Sequence, residues 1–116
     1  MVVDTRDEEQ TDQLFQALAD PTRRDIVKRS MYGEYSVSAI ARWYPMSFAA
    51  VQKHVAILER AQLVTKQRRG REQIVHVNID TIRIANQLLE QLEAMWTNRM
   101  DRFGDVLTLP DKGATP

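Results

Sequence analysis

SVSAIARWYPMSFAAVQKHVAILERAQLVTKQRRGR, residues Ser36 to Arg71, decides how the rest of the chain is organised. Ser36 and Ser47 are helix-start residues, Pro45 stops the first of the two helices they open, and Gly70 sits among Arg68, Arg69 and Arg71. Each signal is common alone. In this order they predict two short helices about a tight turn of about three residues, followed by an arginine-tipped hairpin, which is the layout of a DNA-reading unit.

Working outward, Asp20-Pro21 predicts an N-cap and first helical residue, because aspartate accepts from free amides and proline has no amide to leave unpaired. The helix it opens runs to about Tyr32, with Ile26, Val27 and Met31 inward and Gly33 closing it. Before it, Thr5 and Glu8 form a capping box for a first helix from about Arg6 to Ala19. Met46 and Val51 can clasp as a staple at the start of the fourth helix, whose buried side carries Val51, Val55 and Leu58. At about 100° per residue, Ala49, Lys53, Ala56 and Arg60 then point away from that side, with Gln52 on the flank.

Leu63 to Arg69 and Glu72 to Asn78 alternate as paired strands about Gly70, with Val75, Val77 and Ile79 marking one face. Asp80 caps a last helix of about 24 residues, roughly 36 Å long at about 1.5 Å per residue, with a second possible staple between Ile79 and Ile84. The expected fold is mainly α with a small β-hairpin, a winged helix-turn-helix in the order ααααββα. Residues 1–104 form the DNA-binding and dimerisation domain, and 105–116 a flexible C-terminal tail.

The chain has 116 residues, 43% of them hydrophobic, enough for one core, and no cysteine, so neither disulfides nor thiolate metal sites can form. Its first residues are acidic and polar, and no run approaches the roughly 18 apolar residues of a membrane span, so a soluble, cytoplasmic protein is expected. The formal net charge of zero conceals an asymmetry: residues 22 to 71 hold eleven bases against three acids, a local +8, while residues 1 to 21 carry −5 and residues 72 to 116 carry −3. A polyanion would meet a basic middle between acidic flanks.

A helix that enters the major groove needs short side chains where its backbone approaches the bases and long hydrogen-bonding ones where it reaches their edges. Ala49 and Ala56 permit the approach, Gln52 can pair with an adenine edge, Lys53 can reach a guanine or a phosphate, and Ser47 with the free amides behind it can hold a phosphate. Phe48 can touch a thymine methyl or cover the core, and His54 packs at the border with a phosphate in reach. Arg68, Arg69 and Arg71 suit the minor groove, where guanidinium groups follow the negative potential. An ordinary solvated helix and hairpin would carry similar residues singly; their succession favours DNA.

Neither His54 nor His76 has the partners of a metal site, and no nucleophile elbow or phosphate-binding glycine loop is present, so no enzyme, metal or cofactor is expected. The last helix is longer than so small a domain can cover. Leu88, Leu89, Leu92, Met95 and Trp96, with Leu14 and Phe15 of the first helix, suit a two-fold dimer that spaces two reading helices about 34 Å apart on a palindromic site.

LADPTRRDIV (Leu18 to Val27), the stretch quoted at the outset up to Val64, and RRGREQIVHVN (Arg68 to Asn78) resemble the ArsR/SmtB winged-helix repressors, over about residues 12 to 103. The resemblance is strongest to the non-metal "DPTRR" branch, whose fourth-helix pattern is typically like MSQPAVSKHLKVLEEAGLV. Phe48 and Ala49 stand at its Gln-Pro positions and Gln52 at its serine, so the general DNA role carries over while base preferences do not. The third helix lacks the paired-cysteine motif of metal-sensing members, and the last offers Asp80 with Arg83 and Asn86 where others place histidines. The resemblance implies a homodimeric repressor or autoregulator of unstated effector; the alternative is a winged-helix protein-interaction module that does not bind DNA.

Overall fold

The computed structural model describes residues 5–108, with side chains from 7 to 104. In chain order the elements are α1 (Thr5–Leu18), α2 (Pro21–Ser30), β1 (Tyr35–Ser36), α3 (Val37–Ala41), α4 (Phe48–Arg60), β2 (Val64–Arg69), β3 (Glu72–Val77) and α5 (Ile79–Thr108). They form two compact units, one ending at Ile82 and the other beginning at Arg83. Among the described residues no helix is long and apolar enough to cross a membrane.

The helix starts follow local chemistry. Asp20 accepts from the Arg23 amide at 3.0 Å, Ser36 from that of Ala39 at 3.0 Å, and Ser47 from that of Ala50 at 3.1 Å, so the caps of α2, α3 and α4 stand where the sequence puts them. Thr5 is already helical, and its side chain, with the capping box assigned to it, lies outside the described residues. The cap of α5 moves: Asn78 Oδ1 accepts from the Asp80 amide at 3.2 Å, and Asp80 falls inside the first turn. Asn78 is pinned there because its own amide donates to the Leu63 carbonyl at 2.9 Å, where the hairpin ends. Ile79 and Ile84 are therefore both helical and both exposed rather than clasped about the cap.

Three further expectations are corrected. Met31 is exposed, because α2 ends at Ser30 and its buried stripe is Ile26, Val27 and Ser30. Gly33 does not close that helix, whose cap is Met31; a Cβ at Gly33 would stand 3.1 Å from the Tyr35 ring, so glycine is what lets the ring close in. The connection from α3 to α4 runs from Arg42 to Ser47, six residues rather than three, since α3 stops at Ala41 before Trp43 and Tyr44 pack.

The sheet has three antiparallel strands in the order β1-β3-β2. Its outer member β1, absent from the expected order, pairs Tyr35 with Val75 and Ser36 with Ile74. In the middle strand β3, Ile74 and Val75 point to opposite faces of the sheet and both are buried. Arg69 faces Glu72 across a two-residue turn, and Gly70 at φ 64° takes the first central position, as in a type II′ hairpin. Ile26, Ile40, Val51, Val55, Leu58, Leu63, Val64 and Val75 are fully buried, each contributing roughly 1.5–3 kcal/mol through removal from water.

The end of α4 is strained. Gln62 adopts φ 62°, while its amide donates to Glu59 O at 2.9 Å and that of Leu63 to Leu58 O at 3.0 Å, the paired bonds of a Schellman motif. The winged-helix pattern that this stretch resembles carries glycine at this position. Gln62 O also accepts from Thr81 Oγ1 at 2.6 Å, tying the first turn of α5 to this corner.

Candidate nucleic-acid interface

One side of α4 is fixed by Val51, Val55 and Leu58 in the core, which turns Ala49, Gln52, Lys53 and Arg60 to solvent. Gln52 and Lys53 make no hydrogen bond or ion pair with other described residues, so their polar ends are free for a ligand. Ser47 and Phe48 stand exposed at the helix start, Phe48 at 47%. Ala56 is half-buried, so the open strip is narrower than helical spacing alone suggests.

His54 faces inward. Its Nδ1 lies 3.3 Å from Arg23 Nη1 and 3.9 Å from Asp20 Oδ2, which makes it a tie between α4 and the start of α2 rather than part of the outward strip. The Asp20 carboxyl is held below its ordinary range, chiefly because it accepts from the Arg23 amide. His76 on β3 is half-buried, and its Nε2 has no hydrogen-bond partner among the described residues. Among those residues no group of three or more His, Cys, Asp or Glu is placed to hold a metal ion.

The basic middle divides into engaged and unengaged charges. Arg23 donates from Nε to Ala17 O at 2.8 Å and from Nη2 to Gln16 O at 3.0 Å, and Arg24 donates from Nη1 to Leu18 O at 2.7 Å. The two arginines thus satisfy the last carbonyls of α1, which have no partners within their own helix. Arg29 pairs with Asp25 at 3.0 Å and lies 5.4 Å from the Trp43 ring centre and 5.8 Å from that of Tyr44. Tyr44 donates its hydroxyl to Asp25 at 2.6 Å; burial, then that bond, holds its phenol well above the usual range. Trp43 also meets Tyr35 edge to face at 4.9 Å, so these aromatics belong to packing rather than to a stacking platform.

Lys66 pairs with Glu59 at 3.3 Å and Arg69 with Glu34 at 2.8 Å. Lys28, Arg42, Lys53, Arg60, Arg68 and Arg71 are exposed and pair with no acid among the described residues, although Arg68 Nε bonds to Gly70 O at 3.2 Å. The roles of Arg23, Arg24 and Glu34 are not among those expected from the sequence. For the two arginines a signal existed, since DPTRR directly follows the end of a helix; for Glu34 none did, because its partner is 35 positions away.

Of the residues assigned to a dimer contact, Leu14 is a core residue at 3% exposure, whereas Phe15 is on the surface. Along α5, Leu88 is half-buried and Leu89, Leu92, Met95 and Trp96 are exposed, as are Met100 and Phe103.

No family model matches the chain. Over 96 residues it is 33% identical to the HTH-type transcriptional regulator Rv2034 of Mycobacterium tuberculosis, a match that takes in 83% of this chain and 87% of that protein. Over 68 residues it is 29% identical to the transcriptional repressor SdpR of Bacillus subtilis, covering 59% and 73% of the two chains. Among solved structures, the ArsR family transcriptional regulator RHA00566 superposes with a TM-score of 0.74 at 29% identity, over 78% of this chain and 93% of that one. The homodimeric winged helix-turn-helix domain of Mb0332 from Mycobacterium bovis shares the fold, with a TM-score of 0.63 at 22% identity over 80% and 91%.

Proposed function

The chain belongs to the ArsR family of winged helix-turn-helix transcriptional regulators and is a DNA-binding regulator rather than an enzyme; we propose that it acts as a homodimeric, metal-independent repressor on a palindromic operator. The observation that carries this reading is the outward strip of α4. Among the described residues Ala49, Gln52 and Lys53 have no side-chain partner, and they stand between a capped helix start and a hairpin whose Arg68 and Arg71 pair with no acid there.

In this reading α4 enters the major groove. Ala49 allows close approach, Gln52 meets an adenine edge, Lys53 meets a guanine or phosphate, and Phe48 lies against a thymine methyl. Ser47 donates its hydroxyl to a phosphate while its oxygen keeps the cap. The hairpin supplies affinity rather than sequence choice. Dimerisation is supported by the apolar stripe of α5, with Phe15 of α1, since so much exposed apolar surface marks an interaction site; the Mb0332 domain is described as homodimeric. Metal independence is supported by the absence of cysteine.

The test is a salt titration on duplex fragments selected from the source genome. Affinity falls steeply as salt rises, with a log-log slope of about 0.9 per neutralised phosphate. Binding that is flat in salt, or no selected fragment at all, would favour a protein-interaction module instead.

A further inference from the structure

The three arginines of the hairpin are not equivalent. Side chains alternate between the faces of a strand, so Arg68 shares a face with Lys66 and with their cross-strand partners Gln73 and Val75. A cleft of about 200 Å³ lies between the hairpin, which lines it with Lys66, Arg71, Glu72 and Gln73, and Ser38, Phe48 and Gln52. Arg69 lies on the opposite face, where Glu34 takes its Nη1 at 2.8 Å. Glu34 stands on an anchored segment: a Cβ on Gly33 before it would stand 3.1 Å from the Tyr35 ring, and that ring meets Trp43 edge to face. The pair therefore reaches across the middle strand, from the segment entering β1 to the end of β2.

We propose that Glu34 and Arg69 are positioning residues that brace the hairpin, and that Arg71, which lines the cleft and has no partner among the described residues, is the wing arginine that grips the DNA backbone beside α4. The inference rests on the reading surface proposed above and assigns its wing half. It departs from an equal role for all three arginines, because a guanidinium held by a carboxylate on the far face is not directed at a phosphate lying in the cleft.

The experiment uses the full chain and a random-sequence duplex, because the wing contributes affinity without sequence choice. Affinity and salt slope are measured for Glu34→Gln, Arg69→Ala and Arg71→Ala. Arg71→Ala weakens binding and lowers the slope by about 0.9, the signature of one lost phosphate contact. Glu34→Gln, which removes no base, weakens binding about two- to fivefold with the slope unchanged, and Arg69→Ala matches it. If Arg69 itself held a phosphate, Glu34 would be its competitor, and Glu34→Gln would strengthen binding while Arg69→Ala lowered the slope. Either that result or indifference to Glu34→Gln overturns the proposal. Loss of salt dependence in the unmodified chain would instead remove the reading surface on which the proposal stands.

Discussion

Arg23 and His54 face each other across 3.3 Å, joining the first turn of α2 to the middle of α4. Arginine can only donate, so in this contact His54 accepts at Nδ1. The same guanidinium holds Gln16 O and Ala17 O, and three elements meet on one side chain. Replacing Arg23 by Ala orphans the Ala17 carbonyl and leaves Gln16 O only the Ala19 amide, at a cost of about 1–3 kcal/mol in a denaturant titration. Arg23→Lys recovers only part, because a single ammonium lacks the planar fork that serves several acceptors. An unchanged midpoint for Arg23→Ala would show that water replaces these bonds without loss.

Gln62→Gly is expected to stabilise the protein. A side chain in the left-handed region costs about 1–2 kcal/mol, and glycine returns about 0.5–1 kcal/mol of that as chain entropy. The net gain is up to about 1 kcal/mol, a rise in melting temperature of roughly 2–6 °C. A fall would mean that the Gln62 side chain makes a stabilising contact of its own.

Asp20 links stability to pH on the acid side. Its carboxyl titrates below its ordinary 3.8 because the charged form accepts from the Arg23 amide. The contribution is therefore complete above that ordinary value and is lost as pH falls through the depressed one. At neutral pH, Asp20→Ala costs about 0.5–2 kcal/mol as a lost N-cap. That gap narrows on acidification, whereas the gap between Asp20→Asn and Asp20→Ala stays level, since the amide caps without titrating. Parallel pH curves for all three proteins would contradict this account.

If α4 reads the major groove as proposed, Gln52 and Lys53 separate sequence choice from grip. Gln52→Ala costs about 1–3 kcal/mol at one base pair of a selected site and relaxes choice there. Lys53→Ala in the phosphate-contact case weakens all duplexes alike and lowers the salt slope by about 0.9. Competition with single-base variants of the site checks both, and an unaltered base profile for Gln52→Ala would move the reading face elsewhere.

The exposed stripe of α5 predicts the assembly. Leu92→Glu places a charge among Leu89, Met95 and Trp96, all exposed in the single chain, and should yield monomers in sedimentation while leaving residues up to Ile82 folded. A variant that sediments like the parent would place the contact off this stripe.

What the sequence made legible was local. Caps at Asp20, Ser36 and Ser47, the buried triad of α4 and the turn at Gly70 each depend on residues within a few positions of one another. Where two good caps stood together, as at Asn78 and Asp80, the choice was made by a backbone bond to Leu63, 15 positions back. Strand β1 escaped notice because two residues cannot show alternation, and its partners Ile74 and Val75 are far along the chain. Charge counting found the basic middle but could not tell which bases were engaged: Arg23 and Arg24 cap a neighbouring helix, and Lys66 and Arg69 meet acids brought close only by folding.

The strand order leaves β2 paired on one side only, with Lys66, Arg68 and Arg69 along it. A border of unsatisfied peptide groups is a template onto which a stranger chain can zip, and cationic side chains are a common guard against such accretion. The hairpin's bases accordingly serve solubility even when no DNA is near. Stripping them together to make a silent regulator would produce turbidity before it produced a clean loss of function.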